Sequence, residues 1–122
     1  MVRRRSGAVP RSGIPPAKAG EALLEEIVRR LVQALQPERI YLFGSRARDN
    51  ARPDSDYDLL VVVSASDLAP HKRDLLAFRA LCGVGAPKDV IVYTREEFES
   101  RSRAASSLPA TVLREGRLIY AG

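Results

Sequence analysis

The sequence predicts a mixed α/β domain: a small mixed β-sheet with helices packed mainly on one face. Three observations carry that expectation. Short aliphatic and β-branched runs, Ile40–Phe43, Tyr57–Val63 and Asp89–Tyr93, read as buried strands. Segments with helical apolar spacing, Glu21–Gln36 and Pro70–Cys82, alternate with them. The length of 122 residues suffices for one core and one domain, without room for a separate substrate-binding module.

Residues 1–18 are set apart by composition. Arg3, Arg4, Arg5, Arg11 and Lys18 lie in a stretch that holds no acid and is interrupted by Pro10, Pro15 and Pro16. Such a segment has too little apolar surface to offset the entropy of ordering, so it is expected as a disordered basic tail, with the domain occupying residues 19–122. The net charge of +5 comes from this tail, because removing its five cations from the 20 basic residues leaves 15 against 15 acidic ones. Nucleic-acid contact is therefore expected only as a weak, salt-sensitive attraction through the tail. The tail lacks the apolar stretch of a secretory signal, and no run reaches the length of a membrane span. A single cysteine, Cys82, excludes an internal disulfide framework, which makes the cytoplasm the expected compartment.

The first helix carries Leu23, Leu24, Ile27, Val28, Leu31, Val32 and Leu35 as one stripe, and Pro37 ends it. The strand Ile40–Phe43 runs into Gly44, where the chain must turn, and Ser45 opens a short helical piece reaching about Asp49. An Arg- and Pro-rich loop leads to Ser55, and the strand Tyr57–Val63 follows. The helix from Pro70 has proline in its first turn and Gly83 beyond its end. Its Leu75, Leu76 and Phe78 are expected in the core, Cys82 as a buried structural thiol, and His71 at the surface. After the strand Asp89–Tyr93, Thr94 and Glu97 form a capping box that starts another helix. Ser107–Glu115, with Pro109 near its start and Gly116 at its end, reads as a last short helix, and Leu118–Tyr120 as a closing edge strand. No internal repeat appears.

The chemistry concentrates in two places. At Gly44-Ser45, a strand turns into a helix, and backbone N–H groups there attract phosphate oxygens while the serine hydroxyl donates one more hydrogen bond. After ten intervening residues comes Asp56-Tyr57-Asp58 at the start of a strand, where residues two apart point to one side. Two carboxylates on one face repel unless a cation lies between them, and oxygen-only ligands suit Mg²⁺ or Mn²⁺. Two-metal phosphoryl chemistry places its ions roughly 3.5–4 Å apart and needs a third acid from another element. Asp89, opening the other buried strand, is the candidate; the competing reading is a solvated charge after the Pro87-Lys88 turn. An Asp-x-Asp pair alone is a weak signal, as is a Gly-Ser turn. Their joint occurrence at this spacing, each beside an apolar strand, is much more specific.

Gly44-Ser45-Arg46-Ala47-Arg48 followed by Pro53-Asp54-Ser55-Asp56-Tyr57-Asp58-Leu59 resembles the signature of the polymerase-beta-like nucleotidyltransferases. Within them it is most similar to the minimal nucleotidyltransferase (MNT) domains found as antitoxins beside HEPN toxins, over about residues 21–120. The resemblance implies transfer of a nucleoside monophosphate, AMP from ATP, to a hydroxyl with release of pyrophosphate, supported by two Mg²⁺ ions or by Mn²⁺. The implied acceptor is a tyrosine of a cognate HEPN-type ribonuclease toxin. It further implies Asp56, Asp58 and Asp89 as metal ligands, with Asp89 as base. Gly44 and Ser45 would form the triphosphate-binding turn. Arg46 and Ser55 are further candidates to bind the nucleotide: Arg46 and Arg48 flank that turn, where guanidinium groups could neutralise the phosphates, and Arg52 and Lys88 could also reach them; the competing reading pairs Arg46 and Arg48 with Asp49 or Asp54 on a solvated helix. One departure is Asp49-Asn50, where many relatives have glycine; asparagine tolerates the left-handed backbone such a position needs. Two other readings stay open: a binding module that neutralises its partner stoichiometrically, and a subunit that transfers nucleotides to a small molecule such as an antibiotic.

Overall fold

The computed structural model describes residues 19–44, 47, 56–85 and 88–122. Along them run α1 (Ala19–Leu35), β1 (Arg39–Phe43), β2 (Tyr57–Val63), α2 (Pro70–Ala80), β3 (Lys88–Thr94), α3 (Arg95–Ser102), α4 (Leu108–Glu115) and β4 (Arg117–Ala121). The expected elements are present wherever the chain is described. The tail and the short helical piece after Ser45 lie outside those residues.

The strands form one sheet in the order β3-β2-β1-β4. β2 and β3 run parallel with α2 as their connection, while β1 is antiparallel to both β2 and β4, so the sheet is mixed. Alternation along the strands feeds two cores. Ile40, Leu42, Leu59, Val61, Val90 and Val92 face one side, where Ile27 and Leu31 of α1 and Ala77 of α2 close over them. Ile27 and Leu31 are fully buried, each contributing about 1.5–3 kcal/mol of apolar transfer. Tyr41, Leu60 and Val62 face the other side and meet Phe98 of α3 and Val112 of α4. The larger core and the two longer helices thus share one face as expected, but the two short helices cover the other, so the sheet is sandwiched.

Local chemistry explains the helix ends. Gln36 takes φ 47° after α1 and Pro37 cannot continue the helix. Ser107 Oγ accepts from the Ala110 N–H at the start of α4. At α3 the Glu97 N–H donates to Thr94 Oγ1 and the Thr94 N–H donates to Glu97 Oε1, so both halves of the expected capping box are made. Thr94→Ala is expected to destabilise the domain by about 1 kcal/mol, seen as a lower urea midpoint with unchanged slope.

The α2 helix departs from expectation. Its buried positions are Arg73 and Ala77, continued by Leu81 in the turn beyond. At about 100° per residue, this spacing rotates Leu75, Leu76 and Phe78 outward, and they are 47%, 41% and 52% exposed. Cys82 is exposed as well, not buried, while His71 is exposed as expected. Arg73 donates from both terminal nitrogens to the Glu97 carboxylate, at 2.9 and 3.0 Å, tying α2 to α3 and holding that carboxyl below its ordinary range. On its inner side α2 also supplies Asp74, whose Oδ1 accepts from the Val92 N–H of the outer strand β3 at 2.8 Å. Among the described residues no helix is long and apolar enough to cross a membrane.

Candidate active site

Three strand ends meet at one rim of the sheet. Phe43, last residue of β1, pairs with Asp58 across the antiparallel ladder, and Asp58 pairs with Asp89 across the parallel one. Parity sets their direction: Asp58 alternates with Leu60 and Val62, and Asp89 with Ile91 and Tyr93, all packed toward α3 and α4. Those helices cover β2 further along, over Leu60 and Val62, and leave Asp58 half-buried and Asp89 exposed. Asp56, exposed, stands one residue before β2.

Burial pushes the Asp58 carboxyl above its usual range, and the negative charges of Asp89 and Asp56 push it further the same way. Asp58 therefore lies within electrostatic reach of both other acids at this rim. Gly44 completes the group. Its φ is +78°, in the left-handed region, and a β-carbon added to it would collide with Asp58 Oδ2 and sit 3.3 Å from Asp58 Cγ. The Ala47 N–H donates to the Gly44 carbonyl at 3.1 Å, an i to i+3 hydrogen bond at the end of β1.

Among the described residues no three acidic, histidine or cysteine side chains already close around a point. Backbone register decides what they can reach. Adjacent strands run about 4.8 Å apart, so Asp58 and Asp89, side by side on one face, can share an ion by rotamer changes alone. Their all-oxygen donor set fits a hard divalent cation. Ser45, Arg46 and Ser55, together with Arg48 and Arg52, lie outside the described residues. Lys88 begins β3 one residue before Asp89 and is half-buried opposite Tyr57. Phe43 is the residue that sequence reasoning passed over: it reads as strand core, yet its register with Asp58 makes its ring a flank of the site.

The family model described as a nucleotidyltransferase domain matches residues 23–119. No curated protein matches the chain. Among solved structures, a protein from Sulfolobus solfataricus assigned to the nucleotidyltransferases is similar at 24% identity, covering 89% of this chain and 93% of its own, with a TM-score of 0.59. A toxin–antitoxin structure with AMP-PNP is similar at 24% identity, covering 80% and 73%, with a TM-score of 0.55. An MntA–HpeT toxin–antitoxin variant, in which two aspartates two positions apart are replaced by glutamate, is similar at 21% identity, covering 80% and 72%, with a TM-score of 0.55. At these identities the likeness establishes the fold.

Proposed function

This chain belongs to the nucleotidyltransferase domain family, and on that premise we propose that it moves AMP from ATP to a hydroxyl on a partner protein, releasing pyrophosphate. The partner we propose is a HEPN-type ribonuclease toxin modified on a tyrosine, which makes this chain its antitoxin. The observation that carries the reading is the rim itself: Asp58 and Asp89 in register on one face, Asp56 beside them, and the Gly44 backbone pressed against Asp58. Support for the partner comes from toxin–antitoxin structures that share the fold, one of them crystallised with AMP-PNP.

Each residue has a task in this reading. Asp56, Asp58 and Asp89 hold Mg²⁺, which when bound neutralises the triphosphate and favours ionisation of the attacking hydroxyl. Asp89, the most outward of the strand-borne acids, accepts the proton of the incoming hydroxyl. Gly44 lets the backbone approach the phosphates closely, and Ser45 and Arg46 follow it in the chain to orient and neutralise them. Catalysis then rests on positioning and charge, as is usual in phosphoryl transfer.

The test incubates the whole chain with ATP labelled at the α-phosphate, Mg²⁺ and the partner co-expressed with it. Label is expected on the partner, on tyrosine, and none when EDTA is present. A folded sample that labels no protein would remove the enzymatic reading and leave stoichiometric binding.

A further inference from the structure

The outer strand carries a row of side chains that the carboxylate chemistry leaves unused. On the face turned to α3 and α4, β3 presents Asp89, Ile91 and Tyr93 in line, as period two requires. The matching row of β2 continues from Asp58 into Leu60 and Val62, both fully buried. On β3, by contrast, Ile91 and Tyr93 are only half-buried and Asp89 is exposed. Among the described residues, α3 and α4 therefore roof the inner strand and leave its neighbour at the border of the sheet partly open. Tyr93 closes the far end of the opening, with the Arg101 guanidinium of α3 over its ring at 5.6 Å from the centroid. What remains is an apolar ledge that runs from the Ile91 side chain to the Asp89 carboxylate.

The direction of attack gives the ledge its occupant. In nucleotidyl transfer the attacking and leaving oxygens stand roughly in line across the phosphorus atom. The strand order places Gly44, just past the end of β1, on one side of Asp58 and Asp89 on the other. With the pyrophosphate held against the Gly44 turn, the incoming hydroxyl arrives from the β3 side. Ile91 stands there, two residues and about 6.6 Å along the strand from Asp89. That gap suits an aryl hydroxyl, whose ring lies on the Ile91 side chain while its oxygen meets the Asp89 carboxylate. A serine or threonine hydroxyl brings no group that would cover Ile91.

We propose that Ile91 is the acceptor-side specificity residue of this site, taking the ring of an aromatic hydroxyl and selecting it over an aliphatic one. The inference rests on the nucleotidyl-transfer reading proposed above and extends it to a residue outside the carboxylate group. In the transfer itself the acceptor oxygen bonds to the α-phosphorus as the bond from that phosphorus to the bridging oxygen breaks, the hydroxyl proton passes to Asp89, and pyrophosphate leaves. Ile91 takes no part in those bond changes, so it acts on acceptor affinity and not on the chemical step.

The test follows labelling of the co-expressed partner by the whole chain with Mg²⁺ and ATP labelled at the α-phosphate, varying partner and ATP in turn. Ile91→Thr and Ile91→Val form a matched pair, since both replacements are β-branched and suit a strand but only valine keeps the surface apolar. Ile91→Thr is expected to raise the KM for the partner about tenfold, with kcat and the KM for ATP unchanged, while Ile91→Val stays near the native values. On the native chain, N-acetyl-tyrosinamide should compete with the partner for label and N-acetyl-serinamide should not. Equal competition by the two amides, or none by either, overturns the proposal. So does a partner KM that Ile91→Thr leaves unmoved, or a rise in the KM for ATP, which would assign the ledge to the nucleobase. Absence of label on the partner with the native chain is a different failure, because it removes the nucleotidyl-transfer reading and this one with it.

Discussion

Asp58→Asn is expected to lower nucleotidyl transfer by about a thousandfold while leaving the chain folded. Asparagine keeps the shape and loses the charge, and Asp58 sits between the other two acids, so no neighbouring carboxylate can take its place. Labelled-ATP turnover measures the loss, with circular dichroism as the control; activity within tenfold of the native chain would take Asp58 out of the chemistry. The same substitution has a pH signature. Burial, then Asp89 and Asp56, raise the Asp58 carboxyl in the fold, so the folded chain binds its proton more tightly than the unfolded chain does. Free of divalent cations, the native protein should therefore lose stability as pH climbs from the ordinary carboxylate range through the raised value, and Asp58→Asn should remove that loss. Added Mg²⁺ should restore stability to the native chain and not to the variant. A variant that no longer labels its partner yet still silences it in cells would move the balance to stoichiometric binding.

Gly44→Ala is the second large effect. A left-handed backbone costs an L-residue about 1–2 kcal/mol, and here the methyl also collides with the Asp58 carboxylate. Relief requires either the turn to open or Asp58 to swing out of register with Asp89. Displacing a reacting group by about 1 Å is worth on the order of 100-fold in rate, so turnover should fall at least that far along with a lower urea midpoint. Full activity in Gly44→Ala would mean that the close approach of turn and carboxylate has no part in the reaction.

Much of this rim was legible in the sequence because it depends on local rules. Period-two alternation puts Asp56 and Asp58 on one side, a buried strand opening on Asp89 offers the third acid, and glycine marks the turn. That Gly44 lies against Asp58 was not legible, since it depends on the pairing of Phe43 with Asp58 across the antiparallel ladder. The α2 helix misled for a related reason. Leu75, Leu76 and Phe78 are its large apolar residues, but the sheet selects the side bearing Arg73 and Ala77, with Leu81 beyond. Arg73 is tolerated there only because Glu97, 24 positions away, meets it with two hydrogen bonds. Likewise, the short helices after Thr94 and Ser107 were visible from their caps, yet which face they cover depends on how β3 and β1 lie in the sheet.

The Asp74 carboxylate on the Val92 amide reaches beyond local packing. A foreign strand approaching β3 would have to evict a charged acceptor from its hydrogen bond, whereas β4 at the opposite border presents no such guard among the described residues. Fibrillar growth by strand addition needs two receptive borders on every molecule. The guard on β3 raises the cost of adding a strand at that border relative to β4, and so favours association that stops at a pair over association that propagates.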